Sequence, residues 1–109
     1  MLKLYSSKYV PIPKKKGQWI VNFPKPTIVG KTQKLQLILR NESNKDQYEI
    51  QRLSAADPDL TVKTAGRKNL YPKDEVVIFF SFNPKLSRRE PLEKALFRVD
   101  VDHIMVTSI

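Results

Sequence analysis

The chain has 109 residues, 40% of them hydrophobic and 28% charged, with a formal net charge of +9. That is the length of one domain with a core of its own, and the balance is that of a folded globular protein, not a disordered one. There is no cysteine, which excludes a disulfide framework and a thiolate metal site, and no apolar run approaches the roughly 20 residues that cross a bilayer.

The charge is unevenly spread. From Met1 to Asn41 there are nine basic residues (Lys3, Lys8, Lys14, Lys15, Lys16, Lys25, Lys31, Lys34 and Arg40) and no acidic one, whereas from Glu42 onward there are eleven of each sign. The whole excess belongs to the first third of the chain. Such one-sidedness predicts a face or segment that meets an acidic surface.

Residues 1–18 show no sustained periodicity and contain Pro11, Pro13 and Gly17. Proline fixes φ and restricts its predecessor, so "VPIP" favours extended geometry. We expect an extended basic N-terminal arm over 1–18, preceding a sandwich domain over 19–109. Its apolar residues (Leu2, Leu4, Tyr5, Tyr9, Val10, Ile12) are too many for a purely solvated tail. The opening "MLKLYSSKYV" is broken by lysines and serines and lacks the apolar run of a secretory signal. The expected setting is therefore cytoplasmic or within a virion, and the initial methionine reads as the start of a complete small protein.

From Trp19 the pattern is that of short strands. "WIVNF" alternates with period two, and "KLQLILR" sets Leu35, Leu37 and Leu39 against Gln36, Ile38 and Arg40. "NESNKD" is a polar turn. "QYEIQRL" alternates again, with Leu53 slipped by one position, and Leu60 and Val62 share a face after "ADPD". "EVVIFFSF" places Val76, Ile78, Phe80 and Phe82 on one side and Val77 and Phe79 on the other, so the strand is either buried on both faces or carries an exposed apolar patch. "KALFRVDVD" opposes Phe97, Val99 and Val101 to Arg98, Asp100 and Asp102. About seven short strands without a helical stretch predict an all-β fold, an antiparallel immunoglobulin-like β-sandwich, with a small barrel as the competing solution.

Two segments carry a family resemblance. Residues 22–43, through Phe23, Gly30, Leu35, Leu37, Leu39 and Asn41, resemble the opening of immunoglobulin-like domains of the ASH and major-sperm-protein type. Residues 70–84, through Leu70, Pro72, Phe80, Phe82 and Pro84, resemble the second signature of those domains, and "ALFRVDV" looks like their closing strand. The resemblance spans roughly residues 19–102 and consists largely of core and turn positions. It implies a non-catalytic scaffolding or protein-binding module. "YPKD" departs from it where the turn is commonly Pro-Gly.

Chemistry has few candidates. His103 follows Asp102 directly, and neighbours on a strand point to opposite faces, which makes a poor dyad. Asp57 and Asp59 are suitable ligands for a hard cation but too few for a cage, and Asp-Pro is an ordinary turn former. No phosphate loop, nucleophile elbow or zinc spacing is present. The expectation is a non-enzyme without cofactor, metal, membrane or small-molecule substrate.

The expected function is structural. Leu4, Tyr5, Tyr9, Val10 and Ile12 would give apolar contacts to other subunits of a larger assembly, and Lys14, Lys15 and Lys16 would complement acidic surfaces. Val77 and Phe79 are a second candidate contact. A small basic sandwich of this kind suits a viral or phage particle component, such as a minor virion, tail or decoration protein. The alternative is a nucleic-acid-binding accessory protein that uses the same lysines beside Trp19, together with Arg88 and Arg89.

Overall fold

The computed structural model describes residues 2–23, 30–65, 69–84, 94–100 and 103–108. The fold is an all-β sandwich. Eleven strands run through the described residues: β1 (Leu2–Ser6), β2 (Lys14–Lys15), β3 (Gln18–Asn22), β4 (Gln33–Asn41), β5 (Tyr48–Glu49), β6 (Leu53–Ala55), β7 (Leu60–Thr64), β8 (Asn69–Leu70), β9 (Glu75–Phe82), β10 (Lys94–Asp100) and β11 (His103–Ser108). Several are only two or three residues long, so the sequence pattern of about seven undercounts them.

One sheet has four strands in the order β1-β4-β9-β7, the other five in the order β2-β3-β10-β11-β6, and β5 with β8 forms a separate short ribbon. All pairings are antiparallel except β6 with β11, which is parallel. The period-two patterns become the two faces of each sheet. Leu37, Leu39, Ile78, Phe80 and Phe82 point inward from the four-stranded sheet, and Trp19, Val21, Ala95, Phe97 and Val106 from the five-stranded one. The layers meet through aromatic pairs: Phe80 and Phe97 lie edge to face at 6.0 Å, and Trp19 lies 5.7 Å from Phe97. Such offset and tilted pairs are the geometry that ring quadrupoles prefer.

The described part of residues 1–18, expected as an extended basic arm, lies along the sandwich. Leu2–Ser6 is an edge strand of the four-stranded sheet, in register with Leu37–Asn41 of β4, and Leu4 is 1% exposed in the core. Lys3 breaks the apolar pattern only because it points outward between Leu2 and Leu4. A tight turn then reverses the chain: the Tyr9 amide donates to the Ser6 carbonyl at 2.9 Å, the Ser6 amide to the Val10 carbonyl at 2.9 Å, and Tyr9 adopts φ 60°. The returning residues lie along β1, where the Ile12 amide donates to the Leu4 carbonyl at 2.9 Å. Pro11 is tolerated there because its missing donor falls at a sheet edge.

The chain then changes layers. Lys14 and Lys15 pair with Trp19 and Gln18 as a hairpin of the five-stranded sheet. Its two-residue turn, Lys16 and Gly17, has φ 53° and 77°, positive at both positions as a type I′ turn requires. The lysine run is thus one side of a hairpin, and Gln18 begins that hairpin's second strand.

Candidate binding surfaces

The predicted contact residues separate into three groups. Leu4 is core and offers no surface, and Ile12 is half-buried against the core. Tyr9 and Val10, at the turn after β1, are 56% and 58% exposed. Lys14, Lys15 and Lys16 are exposed on the hairpin of the opposite layer. Tyr5, Val77 and Phe79 lie on the outer face of the four-stranded sheet, because each falls one position out of phase with an inward residue.

That outer face is built in rows by the strand register. Lys3, Arg40 and Glu75 form one row; Tyr5, Ile38 and Val77 the next; Gln36, Phe79 and Lys63 the third; Lys34, Ser81 and Thr61 the fourth. The first two rows are closed by a polar clasp. Tyr5 Oη donates to Glu42 Oε1 at 2.8 Å, and Tyr9 Oη donates to Glu75 Oε1 at 3.1 Å. Arg40 pairs with both carboxylates, Nε to Glu42 Oε1 at 3.2 Å and Nη1 to Glu75 Oε2 at 3.0 Å. Tyr9 must cross β4 to reach Glu75 from its position 6.3 Å from the Tyr5 ring, and beneath this cover Ile38 is only 8% exposed although it faces outward.

The clasp shifts the titration of Glu42, Tyr5 and Tyr9. The hydrogen bond from the Tyr5 hydroxyl holds the Glu42 carboxyl below its ordinary value; desolvation opposes it, and the Arg40 charge adds a smaller lowering effect. Donation to Glu42 raises the Tyr5 phenol, and donation to Glu75 raises that of Tyr9. Charge is therefore neutralised locally at this end of the face.

The other end is open. A groove of about 360 Å³ lies over the third and fourth rows, lined by Lys34, Gln36, Thr61, Lys63, Phe79 and Ser81 among others. Phe79 is 38% exposed in it. The four rows carry one carboxylate, that of Glu75, and it lies in the first. Neither Lys34 nor Lys63 forms an ion pair among the described residues. Sequence reasoning identified Phe79 but not its neighbours: Lys34 and Lys63 are distant in the chain, and only the register of β4 and β7 on β9 brings them to one ring.

Trp19 is not available for stacking. It is 4% exposed, and Lys14 Nζ lies 4.6 Å from its ring centroid in a cation–π contact. Asp57 is 6% exposed and serves its turn, its Oδ1 accepting from the Asp59 amide at 2.9 Å. The strand β11 begins at His103, while Asp102, Lys25, Arg88 and Arg89 lie outside the described residues. Among the described residues no group of three or more His, Cys, Asp or Glu is placed to hold a metal ion. No known protein family, curated protein or solved structure matches the chain.

Proposed function

We propose that the protein is a non-enzymatic structural subunit that docks on acidic surfaces of partner proteins in a larger assembly, of the kind found in a viral or phage particle. The observation that carries this reading is the turn after β1. Tyr9 and Val10 are large, apolar and more than half exposed, yet the segment bearing them is fixed by backbone hydrogen bonds to Ser6 and Leu4 and by the Tyr9 hydroxyl on Glu75. A pre-ordered apolar contact loses little conformational entropy on docking. The charge of the first third of the chain also favours an acidic partner: Lys3, Lys8, Lys14, Lys15, Lys16, Lys31 and Lys34 are all exposed, and none forms an ion pair among the described residues. The resemblance to ASH and major-sperm-protein domains supports a binding module over a catalyst.

The test is the size of the native species. Wild-type protein extracted from its source is expected to elute in a particle far larger than its 12.7 kDa mass. The double variant Tyr9→Asp, Val10→Asp should stay folded by circular dichroism and elute free. Elution of the wild type as a free monomer would overturn the reading.

A further inference from the structure

The geometry points to the open end of the four-stranded sheet as a binding site for single-stranded nucleic acid, centred on Phe79. Three features converge there. The first is the ring itself, 38% exposed on a sheet face where a base can lie against it. Stacking of this kind is sequence-tolerant because every base offers a π-face. The second is charge. Lys63 stands beside Phe79 on β7, while Lys34 stands on β4 at the other side and one row along. Two strand spacings and a two-residue offset set their Cα atoms about 12 Å apart, with the ring between them. Neither ammonium is neutralised by a described carboxylate, so both can serve phosphates.

The third feature is the polar part of the lining. Gln36, Thr61 and Ser81 present an amide and two hydroxyls, groups that donate and accept and so match the edges of an unstacked base. A pocket made for an apolar anchor of a protein would be lined by apolar side chains that exclude water. Here Leu35 and Phe80 also line the groove, but the residues beside Phe79 on the outward face are polar or cationic, which favours a polyanion with aromatic bases. The site differs from the lysine–tryptophan pairing apparent in the sequence, since Trp19 is buried in the core. It is also separate from the Tyr9–Val10 contact, which lies at the clasped end of the face.

The test is fluorescence anisotropy of the intact protein with a labelled oligothymidylate and, in parallel, a labelled oligoglutamate peptide. The proposal expects the oligonucleotide to bind, with log affinity falling against log salt by about 0.7 per phosphate contact. Phe79→Ala should weaken binding about tenfold, the loss that base–aromatic stacking produces, without changing the salt slope. The double variant Lys34→Gln, Lys63→Gln should lower the slope by about 1.4. Lys14→Gln, Lys15→Gln, Lys16→Gln, on the other layer, should leave the Phe79 effect intact. No oligonucleotide binding at low salt would overturn the proposal. Equal affinity of Phe79→Ala and wild type would overturn it too, as would tighter binding of the oligoglutamate that depends on Phe79.

Discussion

The side-chain amide of Asn41 donates to the Leu70 carbonyl at 3.1 Å, tying the end of β4 to a residue 29 positions later. The same amide donates to the Asp46 carbonyl at 2.7 Å, and Asn41 Oδ1 accepts from the Ser43 amide at 3.0 Å. Its backbone is held as well, by Asp74 and Lys73. Asn41 is 0% exposed, and Leu70 beside it is also 0% exposed. Removing its side chain takes the partner from the buried Leu70 carbonyl, at a cost of about 1–3 kcal/mol, and from the part-buried Asp46 carbonyl and Ser43 amide. Asn41→Ala is expected to lower stability by about 3 kcal/mol in urea unfolding. Asn41→Asp should lose as much, since a carboxylate cannot donate to two carbonyls.

Adjacent phenylalanines on β9 should behave oppositely. Phe80 is 1% exposed and packs on Phe97, so Phe80→Ala is expected to cost about 3–5 kcal/mol. Phe79 faces outward, and Phe79→Ala should change stability by no more than about 1 kcal/mol. Equal losses in the two urea curves would mean that the face carrying Phe79 is not open.

The first strand bears on how the protein can be shortened. Deleting residues 1–18 removes Leu2 and Leu4 from the core and exposes the edge of β4 that β1 now covers. Leu4→Ala alone is expected to cost about 2–5 kcal/mol. The truncated chain should show a broad, weakly cooperative thermal transition and a tendency to aggregate, because an uncovered strand edge pairs with other chains.

The clasp makes stability depend on acid. Glu42 has a folded pKa below its ordinary value, chiefly through the Tyr5 hydroxyl. Between those two values the unfolded chain binds a proton that the folded chain does not, so stability present above the ordinary carboxylate pKa is lost as pH falls through the folded one. Tyr5→Phe should flatten this acid limb when urea midpoints are measured down the pH scale. At the alkaline end the raised phenols of Tyr5 and Tyr9 act in the other direction. Their contribution is whole below the ordinary tyrosine pKa and is lost as pH rises through the folded values. Tyr5→Phe should remove the Tyr5 part of that loss.

The strands of the interior were legible because their periodicity runs long enough to read: β4, β9 and β10 alternate over seven to nine residues. β1 was not, because two prolines and a run of lysines follow it and its own alternation, Leu2-Lys3-Leu4, is only three residues long. Turn chemistry hid two reversals. Tyr9 and Lys73 take φ 60° and 70°, a conformation usually signalled by glycine or asparagine. Of the open surface, Phe79 was visible as an apolar residue out of phase, but its lysines were not. Their proximity is a property of register, which sequence pattern alone leaves undetermined.

The order β2-β3-β10-β11-β6 has a consequence for the making of the protein. The central strand β10 and its neighbour β11 are the two described strands nearest the end of the sequence, and the strands flanking them, β3 and β6, are made much earlier. While the chain is being synthesised, the four-stranded layer has all its strands once Phe82 has emerged, but β3, which carries Trp19 and Val21, still lacks its neighbour β10. The core seals only when residues through Val106 are free of the ribosome. Folding is thus coupled to the completion of these last strands, and a nascent chain stalled before them presents open strand edges to whatever binds such edges in the cell.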